Sequence, residues 1–288
     1  MSENVEKKYE LLEETMEWGG HILHRIRATR DFGRVHKGQV GGWIEKESNL
    51  SHEGDCWVYG EAKVYSHAVV EGNALVFNEA LVYNSAKVSE SATVHERAEV
   101  YGLAVVRGNS WVLGCAKIYG GAEVYGDAVV LGYAQVFNKA SVYGIAQIYG
   151  KAQIFDYARV YENAMVYDGG KVFDRAEVFG SARVFDEAYV YGNAKVFGGA
   201  EIYGKSSVSD NSMVFDAAEI CGDSRILYDS RVYFNEKIKD RVVAMRWPRD
   251  AECASKVVET IGQVVLQRFD TDSMTFVKEE GNNGENES

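Results

Sequence analysis

Proline is nearly missing: Pro248 is the only one in 288 residues, whereas glycine, at 29, is plentiful. Cysteine is scarce too. The four thiols, Cys56, Cys115, Cys221 and Cys253, form no CxxC pair and show no paired spacing. That pattern points to reduced thiols in a cytoplasm and away from disulfides or a zinc site. An excess of positive charge is also lacking. The net charge of −12 excludes a general binder of nucleic acid or anionic membrane, because both would be repelled at long range. No apolar run approaches the length of a membrane span. The acidic start "MSENVEKKYELLEETMEW" has no charged segment followed by an apolar core, and so does not read as a secretion signal.

What the chain has instead is a repeat. From Val58 to Val232 an aliphatic residue recurs every six positions, and all 30 of these positions are Val or Ile. Two residues before each stands a small one. Of the 29 such positions from Ala62 to Ser230, 23 are Ala, and the others are Ser110, Gly170, Ser206, Ser212, Ser224 and Ser230. Nothing is inserted or deleted in this run.

A helix needs a period of about 3.6 and a plain strand a period of about 2. Within each hexad the small residue and the aliphatic one are two apart, so both face one side of a short strand. Two places after the aliphatic residue come mostly Gly, Asn or Asp, as at Gly60, Asn78, Gly126 and Asp156. These tolerate the positive φ of a corner. Each hexad is therefore one strand and one corner, and three hexads, 18 residues, close a triangle. The reading is an all-β fold: a parallel β-helix of about ten coils, roughly 50 Å long at the spacing of paired strands.

The residue after each aliphatic one points outward by strand alternation. Of these 30 slots, 21 hold Tyr or Phe. Read every 18 residues, a first face carries Tyr65, Tyr83, Tyr101, Tyr119, Phe137, Phe155, Phe173 and Tyr191. A second carries Tyr125, Tyr143, Tyr161, Phe179, Phe197, Phe215 and Tyr233. A third carries Tyr149, Tyr167, Phe185 and Tyr203. The rings are expected to stack along the ladder. A strip of that length is also a candidate binding surface, led by the first column. In the early coils Glu71, Ser89, His95 and Arg107 interrupt the rings.

Few side chains suggest chemistry. The histidines within the coils are His67 and His95, and neither has a visible partner for acid–base work. Arg25, Arg27, Arg30 and Arg34 form a candidate anion site, set against the alternative that they pair with the acidic N-terminal segment. His21 and His24 are too sparse for a metal site. Residues 1–42 read as an N-terminal cap of helix plus strand. The helix spans 3–18 on the stripe Val5, Tyr9, Leu12 and Met16, and the strand 21–29. The β-helix covers 43–238. Residues 239–278 are a C-terminal cap or assembly segment. It is a helix on the spacing of Ala254, Val257, Val258, Ile261, Val264 and Val265, or a hairpin through "VVLQRFDTDSMTFVK". Residues 279–288 read as a disordered tail.

Several short stretches ahead of the repeat match a known pattern: Asp31-Phe32, Lys37-Gly38, Gly41-Gly42-Trp43, Asn49-Leu50-Ser51 and Gly54-Asp55-Cys56-Trp57. With them the chain resembles the YdcK-like β-solenoid repeat family of hexapeptide-repeat proteins. The resemblance implies a left-handed β-helix. It also brings the activity of hexapeptide acyltransferases, trimers that use a histidine base near a loop bulging from the coil and bind an acyl-CoA donor between subunits. This chain departs from them, having no bulging loop, so His95 and His67 are only candidate bases and Arg25, Arg27 or Arg30 candidate holders of donor phosphates.

The reading favoured by the sequence is a non-enzymatic structural or interaction protein. It is a rigid scaffold offering aromatic ladders to a partner protein or to copies of itself, a homotrimer included, with no cofactor. The alternative is an acyltransferase using acetyl-CoA or another acyl-CoA. A third is a glycan-binding or phage-encoded host-interaction module.

Overall fold

A computed structural model describes residues 7–245 and two short strands, Arg268–Asp270 and Thr275–Val277, which pair antiparallel. The period-six pattern becomes a parallel β-solenoid. Each hexad contributes a two-residue strand such as Thr93–Val94 or Trp111–Val112. Successive coils pair in register 18 residues on, as Thr93 with Trp111 and Val94 with Val112. Three sheets of 14, 11 and 10 strands form the faces.

The core is as narrow as the repeat demands. The inward Val and Ile are buried from Val58 to Ile238, with the small residues beside them. Each aliphatic side chain contributes about 1.5–3 kcal/mol on burial. At four of the five Ser positions the hydroxyl donates to the carbonyl three residues back, and Ser212 Oγ donates to the Tyr228 carbonyl instead (3.3 Å). Ser110 Oγ lies 2.8 Å from the Arg107 oxygen and Ser224 Oγ 2.6 Å from that of Cys221. The polar substitution is thus satisfied inside an apolar prism.

Every corner turns through one left-handed residue. The position two after each inward aliphatic has φ between +52° and +75° from Gly60 to Asp240, whether it is Gly, Asn, Asp, Glu, Ser66 or, near the end, Tyr228 and Phe234. At six of the corners that hold Asp or Glu, the carboxylate accepts the N–H of the corner one coil later. Examples are Glu90 with Gly108 at 3.0 Å, Glu162 with Gly180 at 2.9 Å and Asp174 with Gly192 at 3.0 Å. These acids hold one coil to the next as well as turning the chain.

The N-terminal cap differs from expectation. The segment read as a helix is a strand, β1 (Tyr9–Trp18), paired antiparallel with β2 (His21–Ala28), which pairs with β3 (Val40–Ile44). Gly19 and Gly20, at φ +57° and +83°, form the tight turn between β1 and β2. A register shift between Leu11 and Thr15 absorbs the three-to-four spacing that imitates a helix. β3 then runs parallel to Lys63–Val64, so the hairpin continues the first face past the first coil. Its closing residues are buried. Tyr9 Oη donates to the carbonyls of Glu47 (2.9 Å) and Leu50 (2.8 Å), and Lys8 Nζ to that of Gly54 (3.0 Å). The helical turn among the described residues is a short 3-10 segment, Glu47–Asn49. The proposed C-terminal helix over 254–265 lies outside the described residues, as do Val5 and the tail 279–288. The solenoid sheet reaches Val242–Met245.

Candidate functional site

The ring columns stack as the spacing requires. On the first face, centroids from Tyr65 to Tyr191 are 4.8–5.1 Å apart with planes within 7°. The second and third columns repeat this, as in Tyr125–Tyr143 (4.8 Å) and Tyr149–Tyr167 (4.8 Å). Ring faces are therefore occupied by neighbouring rings, and a sugar would meet mainly edges. Tyr65 is buried, and the other seven rings of the first column are half-buried. Several hydroxyls cross to the next coil: Tyr83 donates to Glu99 (3.2 Å), Tyr161 to Glu177 (3.2 Å) and Tyr203 to Glu219 (3.1 Å). Burial, reinforced by those carboxylates, pushes the phenols of Tyr83 and Tyr161 well above their ordinary range.

His95 lies within the third face. Its ring stacks on Phe77 at 4.7 Å and meets Trp111 edge-on at 5.9 Å. Its Nε2 is buried with no hydrogen-bond partner. Desolvation lowers its pKa, opposed by Glu96, so the neutral imidazole fills a ring position. The polar interruption thus splits in two. Glu71, Ser89 and Arg107 fall on the second face, where Arg107 lies 4.2 Å over Tyr125 and starts that column. His95 instead continues a column of rings. His67 is exposed at a corner following the first face, so the structure does not bring the two histidines together.

The four arginines point to different partners. Arg25 bonds Glu61 (3.0 Å) and the Gly60 carbonyl (3.0 Å), and lies over Trp43. Arg27 holds Glu10 of β1 through Nε at 2.8 Å. Arg30 lies 5.9 Å over the Phe32 ring. Arg34 approaches Tyr59, whose phenol it acts to lower against the larger effect of burial.

The same alternation gives a second outward column on each face, one residue before each inward aliphatic. On the first and second faces these columns carry charges paired between coils, such as Lys117 with Glu99 (2.8 Å) on the first and Lys195 with Glu177 (3.7 Å) on the second. The third face differs. Its column reads Trp57, Leu75, Thr93, Trp111, Val129, Gln147 and Met165 before the first charge, Arg183. The flanking ring column over those coils is equally uncharged: Tyr59, Phe77, His95, Leu113, Leu131, Tyr149 and Tyr167. Trp57 is buried under the cap against Phe32. Beyond it the stripe is uncovered by any described element, and Trp111 is 49% exposed. Reading only the residue after each aliphatic conceals this surface; the residue before it, taken every 18 positions, reveals it.

The recesses along the corners are open troughs, one of them lined by Tyr133, Lys151, Asp168, Asp186 and Lys205. No helix among the described residues is long and apolar enough to cross a membrane. No family model matches the chain. It is 47% identical over 38 residues to a protein described as an uncharacterized acetyltransferase YdcK from Escherichia coli (strain K12). That match covers 13% of this chain and 12% of the relative, a small fraction of the relative's length.

Proposed function

We propose that this chain is a non-enzymatic scaffold, a rigid β-solenoid that holds an interaction surface in fixed geometry. The observation that carries this reading is the unbroken coil. From Val58 to Val232 every hexad folds into the same strand and corner, and no loop leaves the prism to close over a substrate. The stacked rings belong chiefly to the frame. Their faces are covered, and hydroxyls such as that of Tyr83 tie one coil to the next.

A second reading, acetyl transfer from acetyl-CoA, is favoured by the short match to the acetyltransferase relative. It would need His95 or His67 as general base. His95 is ill suited, because a base needs hydrogen-bond reach to its proton and an orienting partner. Its Nε2 is buried without a partner.

Thermal unfolding with and without saturating acetyl-CoA separates the two readings, because a ligand bound by the folded state raises the midpoint by mass action. The scaffold reading expects no shift and no acetyl transfer to small amines. A raised midpoint with turnover that is lost in His95→Ala or His67→Ala establishes the acetyltransferase instead.

A further inference from the structure

We infer that the third face between Leu75 and Met165 is a self-association surface on which two copies of this chain pack antiparallel; this rests on the scaffold reading and names its partner. In a chain of net charge −12, both outward columns of this face run uncharged for six coils beyond the cap. Three of the exposed large apolar side chains lie on this face or at its margins. Trp111 is 49% exposed within it, and Tyr133 (65%) and Ile145 (52%) stand at the corners on either side. Uncovered apolar area of this extent marks an interaction site. A large aromatic near the centre, ringed by polar groups, is the usual anatomy of one. Here the rim is supplied by corner residues such as Asn109 and Asp127.

The order of side chains identifies the partner. The stripe reads Leu75, Thr93, Trp111, Val129, Gln147, Met165. Reversed about a two-fold axis between Trp111 and Val129, polar meets polar and apolar meets apolar. Thr93 falls opposite the partner's Gln147, Leu75 opposite the partner's Met165, and the Trp111 indole over the partner's Val129. A parallel pairing would instead set Arg183 and Glu201, which are bonded to each other at 3.0 Å, against their own copies. An isologous contact needs such self-complementarity. Six coils at about 4.8 Å, across a face about 15 Å wide, give roughly 1,000 Å² over both copies with side-chain relief. That is the lower bound for a specific interface, so the expected dissociation constant is on the order of micromolar.

Sedimentation velocity on the full chain across about 1–100 µM tests this. The expected result is a concentration-dependent monomer–dimer equilibrium. Trp111→Glu should abolish it or weaken it at least tenfold, while Gln153→Glu, the same charge on the first face, leaves it intact. Val129→Glu serves as a second disrupting variant, and unfolding midpoints show whether each variant is folded. A monomer throughout, a trimer, or a dimer that tolerates both Trp111→Glu and Val129→Glu overturns the inference. The acetyl-CoA experiment is a separate readout. A monomer indifferent to acetyl-CoA removes the self-pairing and leaves the scaffold, whereas an acetyl-CoA response removes the scaffold reading whatever the mass.

Discussion

At the scale of single residues, the corners carry the strictest demand. Gly144 sits at φ +71°, and a Cβ there would lie 2.7 Å from the Glu162 nitrogen of the next coil. Gly144→Ala therefore meets both an unfavourable backbone region and a clash. Its expected cost is about 1–3 kcal/mol, read as a lowered urea midpoint. His95 makes a different demand. Burial holds its folded-state pKa below the ordinary value, which is about 6.5. The sign follows from proton binding: below that value the unfolded chain takes up a proton that the folded chain resists. The stability His95 permits is complete above about pH 6.5 and is lost as the pH falls from there toward its folded-state pKa. His52, whose pKa is also lowered by burial, adds to the same window. Glu61, held low chiefly by the Trp43 indole N–H and then by Arg25, adds loss only at more acidic pH. His95→Phe keeps a ring against Phe77 and Trp111 and is expected to flatten, without abolishing, the decline between pH 7 and 5. Denaturant titrations of both proteins at several pH values check this, and equal slopes would refute it.

At the scale of elements, each strand is too short to stand alone and is held by the coils above and below. The ring columns are part of that hold. Phe155 stacks on Phe137 at 4.9 Å and on Phe173 at 4.8 Å. Phe155→Ala is expected to cost about 2–3 kcal/mol, from two aromatic contacts of about 0.5–1.5 kcal/mol each plus lost burial. Hydrogen exchange should quicken most in the flanking coils, since a solenoid's contacts are between neighbours. Uniform protection across all coils would count against a structural role for the ladder. Much of this is legible in the sequence, because inward Val, buried Ala and stacked Tyr all follow from counting in sixes. β1 is less legible. Tyr9, Leu12 and Met16 fall at helical spacing, and a register shift within a paired strand reproduces it. The local signal that decides for a hairpin is Gly19-Gly20, a two-residue turn between two segments of mixed apolar and charged residues. The uncharged third face is legible as well, but only once the residue before each aliphatic is treated as outward. The placement of His95 among rings instead of in a polar cluster depends on which of three faces its hexad occupies, which the period of 18 determines.

At the scale of the whole molecule, charge and surface shape act in opposite directions, and their balance is measurable. Each copy carries a net charge of −12, so two copies repel at long range. The stripe from Leu75 to Met165 contains no charged side chain, so close contact there neither gains from ion pairs nor loses by breaking them. Salt should then act chiefly on the repulsion. Screening shortens from about 14 Å at 0.05 M to about 4 Å at 0.5 M ionic strength. Dimerisation is expected to tighten several-fold over that range, with most of the change complete before the highest salt. An interface built from ion pairs between copies, such as the Arg183, Glu201 and Lys237 end of the same face, would weaken instead. Sedimentation at the two salt concentrations therefore reads which half of the third face makes the contact. Weakening with salt would move the interface to the charged coils, and tightening would keep it on the stripe around Trp111.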